Sequence, residues 1–312
     1  MIEAFHLDTS LLVSSDVSDT SNFRIFYQIE SALSDVDRSK FSWKSLEDFT
    51  YTKSRGNNSS VDNNAAEYQR TLAAFEALGL KKNLEDVQRL LSAILNLGNI
   101  EFKDSKPGCE ISNLDQLKIT AEYLGVSKTT LNNILTSKTL SAGGSTRTKL
   151  VGADTARWRR DTLAKDIYNR LFRWIHGQCN VCLQDVASSS DFKDYYVGVL
   201  DFPGFAESDA EGSSLSRLLM NYASERFQKF YNEKIFTAEM EKYRSEKLTY
   251  QNVEFNDNDT VVKLMDSQQR PEGLFSQLEA LASRSTGATS AQEAAFLTKL
   301  ETIQLQRNVV EV

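Results

Sequence analysis

The segment best suited to handle a phosphate is LDFPGF, Leu200 to Phe205. It places Asp201 at the end of an apolar run and Gly204 three residues later. In phosphate-handling loops a carboxylate so placed lies near Mg²⁺, and a backbone N–H at the glycine lies near the terminal phosphate. An ordinary turn has the same pattern, because proline fixes φ and glycine relieves strain. The motif therefore predicts a phosphate-facing carboxylate, with a plain turn as the alternative.

Phosphate chemistry needs a second element, which the sequence does not contain. A phosphate-cradling loop, G-x-x-x-x-G-K-[ST], supplies backbone N–H groups and a lysine. No Gly-Lys dipeptide occurs in the 312 residues. We therefore expect no catalysis by this chain alone.

Two other sets of residues have the chemistry of ligands but unsuitable patterns. His176, Cys179 and Cys182 follow one another at three-residue steps, which puts them on one helix face. A zinc site needs four ligands, and no second cluster is present, so small packed thiols are the better interpretation. The acidic run 254–260 lacks the spacing of a calcium loop and predicts a solvated turn or a helix start.

Helical periodicity dominates the elements that would position these residues. Apolar residues recur at three- and four-residue steps, and several of the runs end at glycine. The predicted helices cover 22–33, 65–80, 84–98, 114–124, a segment capped by Ser127, 154–175, 215–231 and part of the region after Pro271. Short strands are predicted at 100–102 and 195–202, the second as a central strand with both faces covered. The Gly- and Ser-rich stretch 141–148 predicts a loop.

Composition narrows the class of protein. The chain is 40% hydrophobic and 25% charged with a net charge of −7, which is typical of a globular protein and disfavours general nucleic-acid binding. No apolar run reaches the length of a membrane-spanning helix, and the first ten residues do not resemble a signal peptide. Three cysteines fit a reducing compartment. These features predict a helix-rich, soluble, cytoplasmic protein.

Several consecutive motifs resemble those of the myosin head. LLSAILNLGNIEF (Leu90 to Phe102) is similar to a helix-turn-strand of its upper actin-binding subdomain. VGVLDFPGF is similar to the switch II strand and loop, and LLMNYASERFQKFYNEKIF (Leu218 to Phe236) to the relay helix. NNSS (Asn57 to Ser60) is similar to the core of switch I, but its place in the order of the motifs differs from that in the family. We therefore predict a surface loop there.

The resemblance implies a mainly α fold with an α/β core, a partial myosin head without the phosphate loop and switch I. Residues 1–155 would form the region like the upper actin-binding subdomain. Residues 156–312 would contain the switch II strand, the relay-like helix and the region like the lower actin-binding subdomain. A strand without the rest of its sheet exposes edges and apolar faces, so we expect marginal stability without a partner.

The resemblance also assigns candidate residues. Asp201 and Gly204 match the positions that serve Mg²⁺ and the γ-phosphate, whereas Ala206 replaces the glutamate that pairs with a switch I arginine. This switch II is therefore degenerate, and ATP and Mg²⁺ are expected only if a parent protein supplies the phosphate loop. Arg147, Lys149 and Arg284 lie in segments that contact actin in myosins, with solvated loop charge as the alternative.

The sequence DFPGFA looks most like the degenerate heads of fungal chitin synthases, which join a myosin-like head to a membrane-embedded glycosyltransferase. The expected function is non-catalytic docking of such a synthase to actin or another partner, at the cytoplasmic face of the plasma membrane or of vesicles. The remaining synthase would then be a partner. The alternatives are a fragment of an ATP-driven myosin and a plain helical scaffold or remnant.

Overall fold

The computed structural model describes residues 1–4, 7–13, 22–53, 63–142, 145–188, 197–201, 204–205, 215–270, 272–284 and 294–298. It describes the backbone alone at 140–142, 145–147, 185–188, 282 and 284. The chain forms two compact units, Met1–Tyr196 and Val197–Val312.

The first unit is built from helices and two small antiparallel sheets. Its elements are α1 (Ser10–Val13), α2 (Arg24–Ala32), α3 (Asp35–Lys40), α4 (Asn64–Ala77), α5 (Leu84–Gly98), β1 (Phe102–Asp104), β2 (Cys109–Ile111), α6 (Leu114–Tyr123), α7 (Lys128–Thr136), β3 (Ser137–Ala142), β4 (Ser145–Leu150) and α8 (Ala153–Ser188). Strand β1 pairs with β2, and β3 pairs with β4.

Helix α5 is the centre of the first unit. Its first turns bury one stripe, at Val87 and Leu91, and every residue from Leu91 to Gly98 is buried. A helix that is buried all round belongs in a core rather than on a surface. Helices α6 and α8 pack against it, so α5 ties the unit together.

Helix α8 lies close to its neighbours because small residues occupy its contact face. Ala153, Ala156 and Ala164 are buried there. On the same helix Arg160 donates to the carbonyl oxygen of Ile100 at 2.9 Å, and Arg159 donates to the carbonyl oxygen of Ile134 at 2.7 Å. The carbonyl of Ile100 lies just before β1, and that of Ile134 lies near the end of α7. The two bonds therefore fix α8 against both of these parts of the unit.

The second unit is helical in the part that the structure describes. Its elements are α9 (Leu215–Tyr231), a π-helical segment (Asn232–Thr237), α10 (Ala238–Ser245), α11 (Asp259–Asp266), α12 (Leu274–Arg284) and a short helix at 294–298. The helix runs through the π-helical segment, where the buried Asn232 donates to the carbonyl oxygen of Asn256 at 3.0 Å.

Most of the predicted helices are confirmed with bounds within a few residues. Gly79 and Gly125 follow α4 and α6 with φ of 69° and 66°, a backbone conformation that favours glycine after a helix. Ser127 caps α7, since its hydroxyl accepts from the N–H of Thr130 at 3.0 Å. The predicted helix start in the acidic run is confirmed at Asp259.

Two predictions about strands were wrong. The stretch 141–148 was predicted to be a loop, but residues 141–142 and 145–148 belong to strands β3 and β4. The predicted central strand is also absent at Val197–Leu200, which is extended chain with Val197 and Val199 more than 90% exposed. An apolar strand is buried only when neighbouring strands pair with it. Within the described ranges the chain provides only the two small sheets, both in the first unit.

Candidate functional site

The β3–β4 hairpin is anchored firmly at its base. The N–H of Val151 donates to the carbonyl oxygen of Thr136 at 2.9 Å, which closes the base. Gly108 approaches the hairpin so closely that a Cβ there would lie 2.6 Å from the Cβ of Leu150. Directly after the hairpin, the N–H of Ala153 donates to Asp104 Oδ1 at 3.0 Å. The hairpin therefore projects from a fixed support.

One face of the hairpin concentrates basic residues. The register pairs Lys138 with Lys149 and Leu140 with Arg147. Alternate residues of a strand share a face, so the backbone places Arg147 on the same face as the two lysines. Lys138 and Lys149 are exposed, and neither ammonium group pairs with a carboxylate of the described residues. We call Lys138, Arg147 and Lys149 the basic face.

Sequence reasoning found Arg147 and Lys149 but missed Lys138. The signal was present, because two stretches with alternating residues are separated by Gly143 and Gly144, and a two-glycine connection is typical of a hairpin. Recognising the hairpin fixes the register, and the register places Lys138 opposite Lys149. The side chain of Arg147 lies outside the described atoms.

The residues predicted to form a degenerate switch II lie in the second unit. Asp201 and Gly204 are both exposed, and a Cβ added at Gly204 would meet no atom within 4 Å. No close approach by a described atom therefore requires glycine at this position. Ala206 lies outside the described residues. The role of these three positions stays a prediction.

Arg284 is the last residue of α12 and also belongs to the second unit. Its backbone is described and its side chain is not. Its predicted contact with actin is therefore untested. The two hairpin positions and Arg284 come from different units, so the basic face is defined by the hairpin alone.

Charged and polar side chains join α9 to α11 in the second unit. Lys229 and Lys263 both donate to the carboxylate of Asp259. The hydrogen bond from Lys229 lowers the pKa of Asp259 and raises the pKa of the lysine. Tyr222 donates to Asp266 Oδ2 at 2.7 Å, and burial first and this bond second raise the pKa of Tyr222. These contacts hold α9 and α11 together.

The His- and Cys-containing face of α8 binds the start of the chain. His176 Nε2 lies 2.9 Å from the carbonyl oxygen of Ile2, and Asn180 bonds both the N–H and the C=O of the same residue. Cys182 Sγ donates to the carbonyl oxygen of Leu78 at 3.2 Å. Among the described residues no group of three His, Cys, Asp or Glu side chains is arranged to hold a metal ion.

Comparison with known proteins identifies the class of this fold. The family model of the myosin head (motor domain) matches residues 1–310. The chain therefore belongs to the myosin head family, and the resemblance predicted from its motifs is confirmed. Its fold is mainly helical with small sheets. That this partial head lacks the phosphate loop and switch I stays a prediction.

The relatives include both myosins and a chitin synthase. The chain is 31% identical over 287 residues to chitin synthase 8 of Mycosarcoma maydis, covering 90% of this chain and 14% of that protein. It is 29% identical over 271 residues to Myosin-2 of Lachancea kluyveri, with coverage of 86% and 17%. It is 30% identical over 275 residues to unconventional myosin ID of Drosophila melanogaster, with coverage of 85% and 26%. The chain thus spans about a quarter or less of these relatives.

No helix that the structure describes combines the length and the apolar character needed to cross a membrane.

Proposed function

We propose that this chain is a non-catalytic docking module whose basic face binds an acidic partner, with filamentous actin as that partner and a chitin synthase as the parent protein. The observation that carries the proposal is the Lys138–Lys149 pair of the hairpin. The relationship to a named chitin synthase supports the choice of parent.

The lysine pair is unfavourable for the hairpin by itself. Like charges directly opposite one another on antiparallel strands destabilise the pairing, and no described carboxylate neutralises them. A partner that presents carboxylates would remove this repulsion on binding. The arrangement is therefore better suited to recognition than to folding, and electrostatic attraction would also speed association.

The non-catalytic part of the proposal rests on the sequence. Ala206 stands where myosins have a glutamate, and the chain has no Gly-Lys dipeptide. Asp201 and Gly204 would then be remnants of a nucleotide site. Hydrolysis of a phosphate ester requires a positioned cation and backbone donors around the phosphate, which these two residues cannot provide alone.

The test is co-sedimentation of the purified chain with filamentous actin, with and without ATP. We expect binding that ATP does not reverse and that weakens as salt is raised. Lys149→Glu and Lys138→Glu should each weaken binding about tenfold, equivalent to about 1.4 kcal/mol. Lys118→Glu, which makes the same charge change at an exposed site on α6, should leave binding unchanged.

Circular dichroism of every variant separates lost binding from lost folding. A folded wild-type chain that stays in the supernatant would remove actin as the partner. An equal loss in the Lys118 variant would show that net charge, rather than the basic face, controls binding.

A fragment of an ATP-driven motor is the second candidate. The named myosins among the relatives and the presence of both Asp201 and Gly204 favour it. Release of the actin-bound chain by ATP would support this candidate and contradict the first.

A further inference from the structure

A partly open apolar cavity of about 170 Å³ lies in the first unit, among α2, α4, α5 and α8. Its wall includes the buried side chains Ile29, Leu91 and Leu171. It also contains Phe172, which is 37% exposed. The cavity therefore has a dense apolar interior and a wall that reaches the surface.

Aromatic rings form much of the wall. Tyr68, Phe75, Tyr168 and Phe172 all line the cavity. Tyr168 is held in place by stacking on Phe23, with ring centroids 4.2 Å apart and planes 16° from parallel. Aromatic side chains prefer offset-stacked or edge-to-face partners, so these rings offer favourable contacts to another ring.

Three of the polar side chains in the wall, Tyr68, Thr71 and Gln88, already make hydrogen bonds within the protein. Gln88 Nε2 donates to the hydroxyl oxygen of Tyr68 at 2.6 Å. Thr71 Oγ1 donates to the carbonyl oxygen of Glu67 at 3.1 Å. Water in a cavity needs two to four polar partners, and an apolar cavity of about 150 Å³ stays dry and accepts benzene. The cavity is therefore better suited to an apolar guest than to water.

The absence of charged side chains from the wall excludes ionic ligands. No charged side chain lines the cavity, and an ion moved from water into apolar surroundings without a partner loses its solvation. We propose that this cavity is a binding site for a small, uncharged, single-ring aromatic molecule. The proposal is independent of the docking function, because none of the lining residues belongs to the hairpin.

Fluorobenzene is the probe for a direct test with the full chain. Its ¹⁹F resonance should broaden saturably on addition of protein, and benzene should reverse the broadening by competition. Benzene at ten times its dissociation constant should raise the melting temperature of the first unit by about 3–6 °C.

Cavity-filling variants locate the site. Leu84→Phe and Ile175→Phe each add volume to a partly exposed wall position, on α5 and α8 respectively. Each should abolish both the broadening and the thermal shift. Leu124→Phe is the matched control, since Leu124 is also partly exposed but does not line the cavity; it should behave as wild type.

Two results would overturn the proposal. One is the absence of saturable broadening with the wild-type chain. The other is equal broadening by wild type and by a folded filled variant, which would place the bound probe elsewhere. Using two filling positions on different helices keeps the test decisive if one variant does not fold.

Discussion

Among single residues, Asn96 on α5 is the centre of a buried polar network. Its Nδ2 donates to the carbonyl oxygen of Ser92 at 2.9 Å, and its Oδ1 accepts from Gln116 Nε2 at 2.7 Å. Ser92 in turn donates its hydroxyl to the carbonyl oxygen of Phe41. Ser92 and Asn96 are 0% exposed, so water cannot replace a lost partner.

Asn96→Ala should therefore lower the free energy of unfolding by about 1–3 kcal/mol, because one N–H of the buried Gln116 loses its acceptor and the oxygens of Ser92 lose a donor. Urea unfolding followed by circular dichroism measures the loss. Asn133→Ala, the same change at an exposed position of α7, should cost less than about 0.5 kcal/mol. Equal costs for both variants would show that the network contributes nothing specific.

Tyr51 is a second residue whose environment makes a prediction, here about pH. Its hydroxyl donates to Asp161 Oδ1 at 2.7 Å. Burial, and then the charge of Asp161, raise the pKa of Tyr51 well above its usual value near 10. The folded chain holds this proton more tightly than the unfolded chain does. The contribution of Tyr51 to stability is therefore present below about pH 10 and declines as the pH rises further.

Tyr51→Phe should cost about 1.5–3 kcal/mol at pH 7, because the lost bond is to a carboxylate. The difference from wild type should shrink above pH 10. Tyr168→Phe is the comparison, since its hydroxyl has no hydrogen-bond partner among the described residues; it should cost less than about 0.5 kcal/mol at pH 7. Denaturant unfolding of each variant at pH 7 and above about pH 10 measures these costs. A stability difference between Tyr51→Phe and wild type that grows with pH would contradict the prediction.

Among the helices, two glycines predict opposite effects of the same substitution. A Cβ at Gly98, the last residue of α5, would lie 2.7 Å from Cε2 of Tyr51. A Cβ at Gly177 within α8 would meet no atom within 4 Å. Gly98→Ala should therefore destabilise by about 1–3 kcal/mol through overpacking. Gly177→Ala should stabilise by about 0.4–1 kcal/mol, because alanine is the better helix former.

Melting temperatures of the two alanine variants check this prediction. They should lie on opposite sides of the wild-type value. A stabilised Gly98 variant would mean that the ring of Tyr51 moves away without cost.

The helices and the strands differ in how far the sequence determines them. The stripe of α5 and the glycines after α4 and α6 are local signals, so these helices could be predicted. Burial of Val197–Leu200 depends on strands from elsewhere, and no local pattern supplies them. The sequence analysis predicted two of the three residues of the basic face. It missed Lys138, because that lysine joins Lys149 only once Gly143 and Gly144 are recognised as the turn of a hairpin.

In the molecule as a whole, burial is distributed unequally between the two units. In the described part of the second unit, Val262 and Met265 are the buried apolar side chains. Leu215, Phe230 and Tyr231 of α9 are more than half exposed. Hydrophobic burial is the main favourable term in folding, so the first unit should be much the more stable of the two.

This difference predicts the order of cleavage in limited proteolysis of the whole chain. Local opening governs cleavage, and a segment with few buried contacts opens most easily. Trypsin should cut first in or just after α10, at the exposed Lys242, Arg244 or Lys247, and a fragment containing α1 to α8 should persist. Mass spectrometry of the early products identifies the sites. First cuts within α4 to α7, or loss of both units at one rate, would mean that the second unit is as stable as the first.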